Sequence, residues 1–195
     1  ELSISNDAPA VFPLGVTTVT FSVTDGNANT TTATATVTVT DQTAPVVSVP
    51  GNITVAASSV SGASATTSAI VAFLADAGAT DNVDGDVSVS NNAPATFPIG
   101  TTTVTFSASD AAGNTGTGTA TVTVADSSAP SLSAPSNITV AASDANGTAN
   151  TQSAIAAFLS GASASDDVTS ELSISNDAPA VFPLGVTTVT FSVTD

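Results

Sequence analysis

Lysine, arginine and histidine are all missing from these 195 residues, against sixteen Asp and Glu, so the formal net charge is −16. Without a basic side chain no side-chain salt bridge can form, and the negative charge must be relieved from outside, most simply by metal cations. The same lack excludes nucleic acid as a partner, because phosphate neutralisation needs Lys or Arg. It also disfavours an anionic membrane surface. Cysteine is absent, which removes disulfides and thiolate metal sites. Amide crosslinks between Lys and Asn are impossible for want of Lys. Met, Trp and Tyr are missing too, leaving little for oxidants to attack, and trypsin-like proteases find nothing to cut. Such a composition suits exposure outside a cell. No stretch approaches the roughly 20 apolar residues of a membrane span, and nothing reads as a signal peptide; both are expected outside this segment.

What is present is a folding chain. Hydrophobic residues make up 42% of it, unlike the apolar-poor acidic sequences that stay disordered. Residues 171–195 repeat residues 1–25 letter for letter, and a looser copy lies 85 positions from each. A shift of 85 aligns Phe12 with Phe97 and Phe182, and Ala44-Pro45 with Ala129-Pro130, without a gap. The full period is 170, two alternating units of 85. Self-similarity at a fixed period marks a tandem array, so the segment reads as a slice through a longer one. Residues 1–40 are then the C-terminal part of one unit, 41–125 a complete unit, and 126–195 the N-terminal part of the next.

One unit reads as short strands punctuated by turns. From Ala33 to Thr40 the odd positions are Ala or Val and the even ones Thr, the alternation of a half-buried strand. Thr101 to Ser109 does the same, with Val104, Phe106 and Ala108 inward. Asp110 to Asn114 reads as the hairpin turn that follows. Phe97-Pro98-Ile99-Gly100 reads as another turn, Val87 and Val89 mark a strand before it, and Val46–Val49 and Ile53–Ala57 are strands at the front. One stretch breaks the pattern: Ile70, Phe73, Leu74 and Ala77 fall at helical spacing with Ser68 placed to cap, and Ser153, Ile155, Phe158, Leu159 and Ala162 repeat it. This predicts a short helix per unit, closing one edge of the core, with docking as its other conceivable use. The fold class expected is all-β: tandem immunoglobulin-like sandwiches of 85 residues, somewhat below that fold's usual size of about 100. A unit this small gains from an extra staple.

The carboxylates point to that staple. Four slots are acidic in every copy: Asp41 and Asp126; Asp81 and Asp166; Asp86, Glu171 and Glu1; Asp110, Asp195 and Asp25. Tracing strand directions sends the strand from Thr101 up to the Asp110 turn. The strand after Asp86 must then descend from that end, so the 80–86 loop lies beside the turn. Asp41 arrives there from the preceding unit. Asp41, Asp81, Asn82, Asp84, Asp86, Asp110 and Asn114 therefore converge at one junction, and Asp126, Asp166, Asp167, Glu171 and Asp195 at the next. Thr169 stands where Asp84 does and Asp167 where Asn82 does. Asp25 and Asn29 supply the same turn in the first segment. Converging carboxylates without a basic partner call for a hard cation. Ca2+, which takes six to eight oxygens at about 2.3–2.6 Å, suits them better than octahedral Mg2+. The competing explanation, that Asp and Asn sit here only for turn geometry, suits one loop better than three. Asp7, Asp76, Asp144 and Asp177 lie apart and read as solvated surface groups.

The ordered motifs from Asp41-Gln-Thr-Ala-Pro45 through Pro50-Gly-Asn-Ile-Thr-Val, Ala79-Thr-Asp-Asn-Val-Asp-Gly85, Phe97-Pro-Ile-Gly-Thr-Thr-Thr-Val104 and Ser109-Asp-Ala-Ala-Gly-Asn114 to Thr121-Val-Thr-Val resemble the hyalin repeat family. The resemblance implies immunoglobulin-like modules of secreted and surface proteins, giant bacterial adhesins among them, and adhesion or scaffolding instead of catalysis. The helical stretch near Ile70 departs from that family, and the missing Cys pair of its animal members points to a bacterial variant.

The expected function is therefore a structural rod segment of an extracellular or cell-surface adhesin or filament, stiffened by Ca2+ at its junctions. The expected partners are neighbouring repeats of the same chain or filament, and lateral self-association through Thr-lined faces. A fibre polymerised by strand exchange is the alternative, and a carbohydrate-binding module a weaker one, since Phe spaced as core is the only aromatic. An enzyme is not expected: with no His, Cys, Lys or Tyr, acid and base work would fall to carboxylates alone. Asn29, Asn52, Asn137 and Asn146 lie in Asn-x-Thr sequons, a weak signal for glycans.

Overall fold

Alternation of Thr with Val, Ala and Phe gives strands wherever one face can be covered, and the computed structural model, which describes Glu1–Asp195, is built almost wholly from them. The order is β1 (Ser3–Asn6), β2 (Gly15–Thr24), β3 (Thr30–Val39), β4 (Val46–Ser48), β5 (Ile53–Ala56), β6 (Ala63–Ser64), α1 (Ser68–Ala75), β7 (Gly78–Asp81), β8 (Gly85–Val87), β9 (Val89–Asn91), β10 (Thr96–Phe97), β11 (Gly100–Ser109) and β12 (Thr115–Ala125). Then follow β13 (Ser131–Ser133), β14 (Thr148–Ala149), α2 (Ser153–Leu159), β15 (Ser163–Ser165), β16 (Ser173–Asn176), β17 (Val181–Phe182) and β18 (Phe191–Thr194). The chain is all-β with two short helices. Its residues group into two units.

The first unit comprises Glu1–Val49, Ala77–Asn91 and Thr105–Thr119. Here β1, β2 and β3 form an antiparallel sheet, with β2 and β3 paired from Gly15↔Val39 to Thr24↔Thr30. A second sheet runs β4-β7-β8, and β9 pairs with Phe106–Ala108 of β11. The start of β12 packs against β4 at very short range. A Cβ on Gly116 would lie 1.9 Å from the Pro45 carbonyl oxygen, and one on Gly118 2.6 Å from Val49 Cγ1. Only glycine lets these two strands approach so closely.

The second unit comprises Pro50–Asp76, Asn92–Val104 and Ala120–Asp195. In it β12 pairs in parallel with β5, from Val122↔Ile53 to Ala125↔Ala56. The Thr101 and Thr123 hydroxyls, 3.0 Å apart, join β12 to β11. Phe97, Ile70, Val104, Val122 and Val124 are fully buried. Helix α1 lies on β5 and buries Ile70 and Phe73, the core-closing role expected of it. Its start is one residue earlier in kind than expected: Thr67 is the N-cap and makes no side-chain cap bond, while Ser68 is already helical. In α2 the cap is Gln152, whose side chain accepts from Ala154 N at 2.8 Å and Ile155 N at 3.1 Å. Its longer side chain reaches back to the first turn's N–H groups, as a capping hydroxyl would.

The inward positions expected of Thr101–Ser109 hold, since Val104, Phe106 and Ala108 are all buried. The half-buried strand expected at Ala33–Thr40 does not. In β3 every residue from Thr30 to Thr38 is exposed, Val37 by 38%, and only Val39 is half-buried. The counterpart strand β12 packs at its start against Pro45, Val47 and Val49 and pairs at its end with β5. Strand β3 pairs only with β2.

Candidate metal centre

Four separate pieces of the first unit deliver carboxylates to one place. Asp41 follows β3, Asp81 ends β7, Asp84 sits in the turn before β8, and Asp110 opens the turn between β11 and β12. One carboxylate oxygen from each lies within 4.8 Å of the others. Turn chemistry sets the loops first. Asp81 Oδ1 accepts from Val83 N at 2.7 Å and Asp84 N at 3.1 Å, and Gly85 completes the turn at φ +72°. Asp84 Oδ2 accepts from Ala111 N at 2.9 Å, tying the two loops together. Asp110 Oδ1 accepts from Asn114 N at 2.7 Å, while Asn114 Nδ2 donates to Asp110 Oδ2 at 2.8 Å and to the Asp41 carbonyl at 3.4 Å.

These bonds leave particular oxygens over. Asp41 Oδ1 accepts from Thr43 N at 3.0 Å, but Asp41 Oδ2 and Asp81 Oδ2 are buried and have no hydrogen-bond partner. A buried carboxylate oxygen without a donor is costly, and here two belong to one group that no basic residue can relieve. The donor set, all hard oxygen, fits a Ca2+ ion. Burial pushes the Asp110 carboxyl up, yet the Asn114 side chain and the N–H groups of Asn114, Gly113 and Ala112 more than offset it, and the net direction is down. Asp110 is thus held ionised.

The second unit gathers Asp126, Asp166 and Asp195 within the same distance. Asp166 Oδ1 accepts from Val168 N at 2.7 Å and Thr169 N at 2.8 Å. Those backbone bonds, Thr169 first, hold its pKa below the ordinary value. Thr169 Oγ1 approaches Asp126 Oδ2 at 3.4 Å, so a hydroxyl stands where the first group has the Asp84 carboxylate.

The remaining expected ligands lie outside both groups. Asn82 and Asp167 are exposed loop residues. Asp86 is exposed on β8 opposite Thr80, and Glu171 is exposed. Asn114 reaches the first group as a donor through Nδ2. Asp25 stands by itself and caps its own turn, accepting from Asn27 N, Asn29 N and Asn29 Nδ2, each at 2.9 Å. The Asn29 side chain, then its backbone, lowers the Asp25 pKa. Ala28 in that turn adopts φ +66°, where its counterpart Gly113 has +92°. Three other acids do more than face solvent: Asp7 Oδ1 accepts from Thr20 N, Asp144 Oδ1 from Asn146 N and Asp177 Oδ1 from Thr190 N, each at 2.7 Å. Sequence reasoning also missed the Asp41 carbonyl and the Thr169 hydroxyl, neither of which has a compositional signal.

Residues 40–124 match the family model described as the HYR domain. Over this stretch the chain is similar to the hyalin repeat family. All four carboxylates of the first group fall inside the HYR match. Among solved structures, the "Protocadherin gammaB7 EC3-6 cis-dimer structure" is similar over 100% of this chain at 19% identity and a TM-score of 0.34, and the chain spans 60% of that one's length. No curated protein matches. No helix is long and apolar enough to cross a membrane.

Proposed function

We propose that this chain is part of an extracellular, cell-surface adhesion rod: immunoglobulin-like hyalin repeats of 85 residues in tandem, with units at 1–40, 41–125 and 126–195, on a bacterial surface. Ca2+ bound at the seams sets their stiffness. The role is mechanical, not catalytic. The observation that carries it is the pair of buried, partnerless oxygens, Asp41 Oδ2 and Asp81 Oδ2, within a group of four carboxylates. Asp41 opens the 41–125 repeat, directly after the last strand of the preceding one, and Asp81, Asp84 and Asp110 come from the loops of that same repeat. A divalent ion held by all four would therefore fix the angle at which one repeat leaves the other. Asp126, Asp166 and Asp195 would hold a second, weaker ion with one carboxylate fewer. Each repeat would add about 35–40 Å of contour, the span of an eleven-residue strand such as β12. The test is the bending of arrays of this sequence in electron micrographs with and without chelator. Persistence length should fall when calcium is removed, and indifference to chelation refutes the role.

A further inference from the structure

The structure treats the Asn-x-Thr sequons of Asn29, Asn52 and Asn146 differently. Asn29 is committed to its own turn: its Nδ2 donates to Asp25 Oδ2 at 2.9 Å, so a substituent on that nitrogen would compete with the bond. In the sequon of Asn146 the hydroxyl is committed instead. Thr148 is buried, and its Oγ1 donates to the Ala141 carbonyl and accepts from Ser143 N, both at 3.0 Å. Asn52 is arranged otherwise. Its Oδ1 accepts from Thr121 N at 2.9 Å, which anchors the amide to β12, while its Nδ2 has no partner. Asn52 is exposed, and so is Thr54, two residues on and therefore on the same side of the extended chain, whereas Val55 is buried. The run Asn-Ile-Thr-Val recurs at 137–140, so both repeat types carry this sequon in one slot. The other two are each confined to one type, since Asn114-Thr115-Gly116 and Ser61-Gly62-Ala63 stand in the counterpart positions.

We infer that Asn52, with Asn137 in the alternate repeat, is a site of N-glycosylation, receiving a sugar from an activated glycosyl phosphate through an enzyme acting in trans. Asn52 Nδ2 attacks the anomeric carbon of the donor. The C–N bond forms as the bond from that carbon to the phosphate oxygen breaks, the phosphate leaves with the electron pair, and Nδ2 gives up one proton. Nothing is oxidised or reduced. The product amide keeps its Oδ1, so Thr121 N loses no acceptor and the fold is unchanged. The position has a physical use. Strand β5 is the edge of the sheet β5-β12-β11-β9, and Ile53–Ala56 holds no charge and no Pro to deter another edge from pairing with it. A bulky, hydrated sugar at the residue before that edge shields it. Lysine does this in other sheets, and a chain without lysine needs another device. None of these residues belongs to either carboxylate group, so the site stands whether or not an ion is bound.

The experiment is mass spectrometry of the chain made by its native cells, against the same chain from a host without N-glycosyltransferases. Trypsin has nothing to cut, but a protease that cleaves before Asp places the sequons on separate peptides, 25–40, 41–75, 126–143 and 144–165. Sugar joined through nitrogen should be found on Asn52 and Asn137, with Asn29 and Asn146 bare. A single sugar points to a nucleotide-linked donor and a preassembled oligosaccharide to a lipid-linked one; either supports the site. Thr54→Val should abolish the sugar on Asn52 and leave that on Asn137, with unchanged circular dichroism, because it removes an exposed hydroxyl and keeps the β-branched shape. Thr54→Ser should restore it. In sedimentation the unmodified chain should associate at a lower concentration than the glycosylated one. A bare Asn52 in the native chain overturns the site, as does a sugar that survives Thr54→Val. Equal association of the two forms overturns the shielding role alone.

Discussion

Replacing Asp81 by Asn should reverse sign with calcium. On the proposed reading the four carboxylates of the first group share one divalent ion, and Asp81 supplies one of the two partnerless oxygens. Extracellular Ca2+ modules bind with Kd of about 10⁻⁴ to 10⁻³ M. At calcium a hundred times Kd, binding to the folded state alone contributes about 2.7 kcal/mol. For a repeat of this size that raises Tm by about 10–20 °C. Asn keeps the Oδ1 acceptor that Val83 N and Asp84 N need, so the turn survives, but an amide NH2 takes the place of Oδ2. With affinity down about tenfold, the same calcium stands at about ten times Kd and the gain drops to about 1.4 kcal/mol. The calcium-dependent rise in Tm should therefore roughly halve. In chelator the variant should melt above the parent, because one of four repelling charges has gone. Calorimetry with calcium and with chelator reads both arms, and titration calorimetry gives Kd directly. The reasoning is refuted if saturating calcium moves the parent's Tm by less than about 2 °C, or if the substitution lowers Tm equally in both buffers.

Three further outcomes are expected. Gly118→Ala should cost about 1–3 kcal/mol through overpacking against Val49, and adding Val49→Ala should recover most of it, because the counterpart positions hold Ala33 and Ala134; a urea-denaturation cycle showing simple additivity would contradict the contact. Phe97→Ala should destabilise by about 3–5 kcal/mol, and Phe182→Ala by clearly less because that ring is only half-buried; equal losses in chemical denaturation would count against the difference in packing. Asp25 has a lowered folded pKa, so its contribution is present above the ordinary value of 3.8 and is lost as pH falls through the folded one. Asn29→Ala should return the Asp25 titration, followed by carboxyl NMR, upward toward 3.8, and an unmoved titration would show that Asn29 is not the cause.

Much of this was legible because short-range rules decided it. The Thr and Val alternation in β11, the Asp110–Asn114 turn and the helical spacing of Ile70 and Phe73 each depend on neighbours a few residues away. The meeting of Asp41, Asp81, Asp84 and Asp110 was also legible, since antiparallel connections set which loops share an end. What escaped notice depended on three-dimensional cover. The alternation in β3 is as regular as in β12, so it marks a strand in both without saying how deeply either is buried. Asp86 and Glu171 share an acidic slot across copies, yet Asp86 lies on β8 opposite Thr80 and Glu171 is exposed ahead of β16, so neither joins its group. Gln152 as a cap and Asp7 as an acceptor for Thr20 N depend on side-chain reach, which residue type alone does not give.

The two glycines of β12 have a consequence for how such an array folds. Thr31 and Ala33 stand at the positions of Gly116 and Gly118, and neither could slide beneath the Pro45 carbonyl and Val49 without pushing them away. A terminal strand of one repeat type is thereby barred from invading its immediate neighbour, the commonest error of chains that say the same thing many times. Alternating two spellings of one module works as proofreading: each strand is accepted only by the repeat type that left room for it.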